Sequence, residues 1–88
     1  MSWTFLSNHG HVAVQLSQNP DQRISELAER VGITERRVAA ILRDLQEAGY
    51  LSVAKDGRRN LYEVDLSKSL RHQSENRKTL GDLLSVWK

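Results

Sequence analysis

Helical spacing of apolar residues marks three segments in the first half of the chain. Val12, Ala13 and Leu16 share the inner face of a run that starts after Ser7, a good N-cap. Asn19-Pro20-Asp21 ends that run, because proline has no amide proton and biases its predecessor away from helix. Leu27 and Val31 then lie four apart, with Ser25 as the expected cap, Glu26 in the first turn and Gly32 behind them. From Thr34 onward, Val38, Ile41, Leu42 and Leu45 take the i, i+3, i+4, i+7 positions of one buried stripe, while Arg36, Arg37 and Arg43 point elsewhere. The spacing predicts helices over 8–18, 25–31 and 34–48, the third started by the Thr34 hydroxyl and stopped at Gly49. Gln22-Arg23-Ile24-Ser25 could add a minimal strand ahead of the second helix.

After Gly49 the period changes from helical to two. Leu51 and Val53 share one strand face, Tyr62 and Val64 another, and Asp56-Gly57 between them tolerate positive φ, so residues 51–65 read as a hairpin. Residues 66–72 form a connector anchored by Leu70. Leu80, Leu83, Leu84 and Trp87 return to the i, i+3, i+4, i+7 spacing, which predicts a last helix within 73–88.

The junction of the second and third segments, Ala28-Glu29-Arg30-Val31-Gly32-Ile33-Thr34, puts a small residue where two helices approach and a glycine in the turn. An isoleucine follows at the corner and a cap at the next helix start. That is a helix-turn-helix pattern, with an αα-hairpin in a helical bundle as the plainer alternative. The hairpin directly after it makes a wing. The expected fold is mainly α with a small β-hairpin (α+β): a winged helix-turn-helix over 1–72, with an additional C-terminal helix over 73–88 as a dimerisation element. Trp3 and Phe5 concentrate aromatic area at the N-terminus, where they either close over the chain's own core or join Leu80, Leu83, Leu84 and Trp87 in a dimer interface. The C-terminal stripe has the same two options, folding back or packing on its mate, and we expect the dimer because a winged helix has its core without this element.

Charge sharpens the picture by its placement rather than its total. The 88 residues carry a formal net charge of +2, which alone says little about nucleic acid. The wing tip, however, holds Lys55, Arg58 and Arg59, a second cationic surface beside Arg36, Arg37 and Arg43. Two basic surfaces from different elements suit a duplex, a helix in the major groove and a wing at the backbone or minor groove. The chain has no cysteine, which removes disulfides, thiolate metal sites and a cysteine nucleophile together. His9 and His11 are two apart, with His72 as a third candidate ligand, but positions two apart on a helix diverge, so solvated or capping histidines are expected and neither metal nor other cofactor. No paired carboxylates, phosphate loop or nucleophile constellation points to an enzyme. No apolar run approaches a membrane span and the first residues lack a leader pattern, so a soluble cytoplasmic protein is expected.

The run Ile24–Thr34, the stripe Val38, Ile41-Leu42 and Leu45, the segment Glu47-Ala48-Gly49-Tyr50-Leu51, and the wing residues Gly57-Arg58-Arg59-Asn60 and Tyr62 together resemble the winged helix-turn-helix of transcriptional regulators of the MarR and ArsR type. The resemblance covers about half the chain. It implies a homodimeric transcriptional regulator that binds operator DNA, with Thr34, Glu35, Arg36, Arg37, Ala39, Ala40 and Arg43 facing the duplex and Arg58 and Arg59 on the wing. MarR-type recognition helices commonly carry a hydroxyl and a basic residue where this chain has Ala39 and Ala40. An alanine methyl cannot hydrogen-bond a base edge, so direct readout falls to Arg36 and Arg37, with Arg43. The extra helical part that forms a ligand cavity in larger relatives, and metal-sensing ligands of the ArsR type, have no counterpart here, and no small-molecule effector is expected. A winged helix serving as a protein-interaction or assembly module is the alternative, which the smooth Ala39-Ala40 patch would suit.

Overall fold

Helix α1 (Asn8–Gln18) runs between two apolar clusters and is buried on both sides. It leads into α2 (Ile24–Val31), α3 (Glu35–Glu47), the antiparallel strands β1 (Leu51–Asp56) and β2 (Arg59–Val64), α4 (Leu80–Leu84) and a closing 3-10 turn over Ser85–Trp87. This computed structural model describes residues 3–87.

The first cluster joins Val12 and Leu16 of α1, Leu27 and Ala28 of α2, Val38, Ile41 and Leu42 of α3, and Leu51 and Tyr62 of the hairpin. The second joins Ala13 and Val14 of α1, Tyr50, and Leu80 and Leu84 of α4. Leu45 and Val64 pack against both clusters, so α3 and β2 are tied to each.

The caps explain the helix limits. Ser7 Oγ accepts from the Gly10 amide at 3.3 Å and Thr34 Oγ1 from the Arg37 amide at 3.0 Å, each satisfying a donor of a first turn. Ser25 does not cap α2. The helix starts one residue earlier, and the Arg23 amide donates to Glu26 Oε1 at 3.0 Å, which places Ser25 inside the first turn. The same shift removes the strand expected over Gln22–Ser25: among the described residues the sheet is two-stranded, and β2 instead gains one backbone bond, from the Tyr62 amide to the Pro20 carbonyl at 3.1 Å. At the far end of α3, Gly49 has φ +84°. The Gly49 amide donates to the Gln46 carbonyl at 3.0 Å and the Tyr50 amide to the Leu45 carbonyl at 2.9 Å, which is a Schellman closure.

In the hairpin, Leu51 pairs with Val64, Val53 with Tyr62 and Asp56 with Arg59. The loop is therefore Gly57-Arg58, with positive φ (+65°) at Gly57 alone, the arrangement of a type II′ turn. Asp56 ends a strand instead of sharing the turn.

The C-terminal region departs most from expectation. Helix α4 begins at Leu80, not near residue 73, and has five residues. Ser74–Lys78 offers no apolar residue to hold a helical face. The backbone doubles back there: the Leu70 amide donates to the Lys78 carbonyl at 2.9 Å, the Leu80 amide to the Lys68 carbonyl at 2.8 Å, and Ser69 bridges Thr79. Thr79 then opens α4 reciprocally with Asp82, its Oγ1 accepting from the Asp82 amide at 3.1 Å and its own amide donating to Asp82 Oδ2 at 2.9 Å. Gly81 lets α4 lie on the Leu66 backbone; a Cβ there would stand 2.8 Å from the Leu66 carbonyl oxygen, which the Gly81 amide now reaches at 2.8 Å.

Candidate nucleic-acid interface

Burying Val38, Ile41 and Leu42 fixes which residues of α3 face outward. At 3.6 residues per turn, Arg36, Ala40, Arg43 and Glu47 form the stripe opposite that core, with Ala39 beside it, and Arg37 and Asp44 run along the edge nearer α1. Thr34, Glu35, Arg36, Arg37 and Arg43 are exposed, and Ala39 and Ala40 are half-buried. Glu35 lies in the first turn, where the helix dipole favours a negative charge. The outward stripe is thus cationic at Arg36 and Arg43, small at Ala40, and acidic where it ends at Glu47.

Lys55 and Arg58 are exposed on the hairpin, Lys55 paired across the sheet with Asn60. Arg59 is also exposed, but its Nη2 lies 3.4 Å from Asp21 Oδ2. This contact joins the tip of the wing to the α1–α2 turn, beside the Tyr62–Pro20 backbone bond. Arg59 therefore meets the α1–α2 turn, a contact that nothing in the local sequence pattern indicates, because its partner is distant in the chain.

A second unanticipated contact lies on α3. His9 Nε2 is 2.8 Å from Asp44 Oδ2, joining α1 to α3. The hydrogen bond from His9 holds the Asp44 carboxyl below its ordinary range, and the charges of His9, Arg37 and Arg43 act in the same direction. His11 Nε2 meets Thr4 Oγ1 at 3.1 Å, and His72 Nδ1 accepts from the Ser74 amide at 3.1 Å. The three histidines have separate partners, and among the described residues no His, Asp and Glu side chains gather in a group that could hold a metal ion.

The six residues assigned to a dimer interface separate into two sets. Leu80 and Leu84 are 6% and 3% exposed, buried against Ala13, Val14 and Tyr50 of the same chain, and Leu83 is half-buried against that cluster. The expectation that this stripe is free for a second subunit is corrected to this extent: the helix folds back, because its first turn is bonded to Leu66 and Lys68. Trp3, Phe5 and Trp87 remain outside. Trp3 and Phe5 are 71% and 93% exposed, their rings edge to face with centroids 5.0 Å apart.

Comparison with known proteins agrees with this architecture. Residues 15–52, from the second half of α1 into β1, match a family described as winged helix-turn-helix DNA-binding. Among solved structures, the chain is similar to the PcaV transcriptional regulator from Streptomyces coelicolor in complex with its natural ligand, at 27% identity and TM-score 0.59 over 73% of this chain and 48% of that one. It is similar also to AdcR, a zinc-dependent MarR-family transcriptional regulator in the Zn(II)-bound state, at 25% identity and TM-score 0.54 over 74% of this chain and 47% of that one. The chain spans about half the length of these regulators. No curated protein matches it.

Proposed function

We propose that this winged helix-turn-helix chain, similar in fold to MarR-family transcriptional regulators, binds double-stranded DNA as a sequence-preferring transcriptional regulator and does so as a homodimer. The observation that carries the reading is the pairing of two exposed cationic surfaces, Arg36, Arg37 and Arg43 on α3 and Lys55 and Arg58 on the hairpin. In this reading α3 enters the major groove. Arg36 and Arg43 address base edges, Thr34, Glu35 and Arg37 lie at its N-terminal approach, and Ala39 and Ala40 give only methyl contacts. The wing sits on the backbone or minor groove through Lys55 and Arg58, with Arg59 as its anchor. The exposed Trp3, Phe5 and Trp87 supply apolar area for a second copy, which would present two recognition helices to a pseudo-palindrome. The setting that fits is the cytoplasm; no helix among the described residues is long and apolar enough to cross a membrane.

The test is a salt titration of binding to random-sequence duplex, followed by selection of bound sequences from a random pool. Salt-sensitive binding with an enriched inverted repeat supports a dimeric regulator. Absence of binding at low salt overturns the reading in favour of a protein-interaction module.

A further inference from the structure

We infer that His9 is a positioning residue of the DNA-facing surface: it draws the Asp44 carboxylate toward α1 and so keeps that charge away from the duplex approaching Arg37 and Arg43. The inference rests on the DNA-binding reading above. Asp44 stands next to Arg43 and seven residues after Arg37, hence on the same edge of α3 as Arg37. Its side chain is 52% exposed, so burial does not remove its charge. A carboxylate there would oppose a polyanion. Among the described residues its side chain bonds to His9 alone, at 2.8 Å, a residue 35 positions away on another helix.

The surroundings of His9 leave this role to it. The groove that it lines also holds Glu47 of α3, Arg71, His72, Glu75 and Lys78 of the segment between β2 and α4, and Asp82 of α4. Of these, His72 is bonded to Ser74 and Asp82 to Thr79. Asp44, like any exposed carboxylate, is ionised at neutral pH, and the His9 bond shifts its titration further down, so its charge is managed by geometry.

A free carboxylate within about 7 Å of a phosphate weakens binding by about two- to fivefold at low ionic strength. The experiment measures affinity for a random-sequence duplex at low salt for the parent, His9→Ala, Asp44→Asn and the double variant, with thermal midpoints taken in parallel. His9→Ala is expected to bind about two- to fivefold more weakly than the parent. The double variant is expected to bind like Asp44→Asn, because no charge is left to mask. His9→Gln, whose amide can still donate to Asp44, is expected to recover most of the loss. An equal loss from His9→Ala in both backgrounds overturns the inference, since it would mark His9 as a packing residue; so does an unchanged His9→Ala affinity. If the parent itself binds no duplex, the DNA reading fails and this inference with it.

Discussion

Truncating Leu84 to alanine distinguishes a helix that completes the chain's own core from one that waits for a partner. Leu84 is 3% exposed and packs in the cluster of Ala13, Val14, Tyr50 and Leu80. Leucine-to-alanine changes at such sites cost about 2–5 kcal/mol. Leu6, Leu70 and Leu83, half-buried around the cluster, can relax into part of the space, which puts the expected cost at about 2–3 kcal/mol. For a chain of 88 residues, whose total stability is on the order of 4–13 kcal/mol, that is a large share. With a urea dependence of about 1–1.5 kcal/mol per molar, the midpoint should fall by about 2 M. Tryptophan fluorescence is a suitable signal, because Trp87 is three residues from the site. Because Leu84 is buried within one chain, the difference between variant and parent should be the same at protein concentrations tenfold apart. A cost below about 0.5 kcal/mol, or one that changes with concentration as an interface residue requires, would refute the reasoning.

Four further outcomes are expected. Arg36→Ala or Arg43→Ala should lose about 1–3 kcal/mol of preference for a selected site over a scrambled one if the residue makes a bidentate guanine contact; an equal loss on both duplexes would reassign it to phosphate. Arg58→Ala should weaken all sequences alike and lower the slope of log K against log salt by about 0.9. Arg59→Ala should also loosen the wing, an effect Asp21→Asn should share, readable as faster hydrogen exchange at the Tyr62 amide. In acid, the carboxyls of Asp44, Asp65 and Asp82 are held below their ordinary value of 3.8 by bonds from His9, from Ser67, and from the Thr79 amide. A depressed folded-state value adds stability that is fully present above the unfolded value and lost as pH falls through the folded one. Urea midpoints attributable to these groups should therefore be level between about pH 7 and 5 and decline below about 4, less steeply in Asp82→Asn.

The parts legible in the sequence are those whose cause is local. Thr34 caps within three residues, Gly49 takes the left-handed conformation at the end of its own helix, and the stripe from Val38 to Leu45 repeats with the period of the structure it forms. The alternation of Leu51, Val53, Tyr62 and Val64 marks the hairpin and its shared face, but not its register, which closes at Gly57-Arg58 instead of Asp56-Gly57. The misread parts depend on distant partners. Leu80, Leu83, Leu84 and Trp87 have a helical period, yet the period does not reveal that the preceding residues form turns closed by the Leu70–Lys78 and Lys68–Leu80 backbone bonds, which delay the helix to Leu80. Nor does it say which surface the stripe meets. His9 with Asp44, and Asp21 with Arg59, are pairs made by tertiary packing, with no spacing that could have announced them.

These distant contacts give the C-terminal segment a structural role that a separate dimerisation helix would not have. Tyr50 links α3 to β1, and its hydroxyl donates to the Ser69 carbonyl at 2.6 Å while its carbonyl accepts from the Asp65 amide at 2.9 Å. Lys68 lies over the same ring, with Nζ 5.6 Å from its centroid, a cation–π contact that also covers the end of α3 at Gly49. Leu66 is bonded to Gly81 of α4, and Leu84 closes the cluster beneath Tyr50. The segment after β2 therefore returns to the junction from which the hairpin departs and holds it from the other side. Because Leu45 and Val64 belong to both clusters, loosening α4 should change the angle between α3 and the wing as well as lower stability. In the proposed reading the cationic helix and hairpin engage one duplex together, so the fold-back of α4 would bear on that interface without touching it.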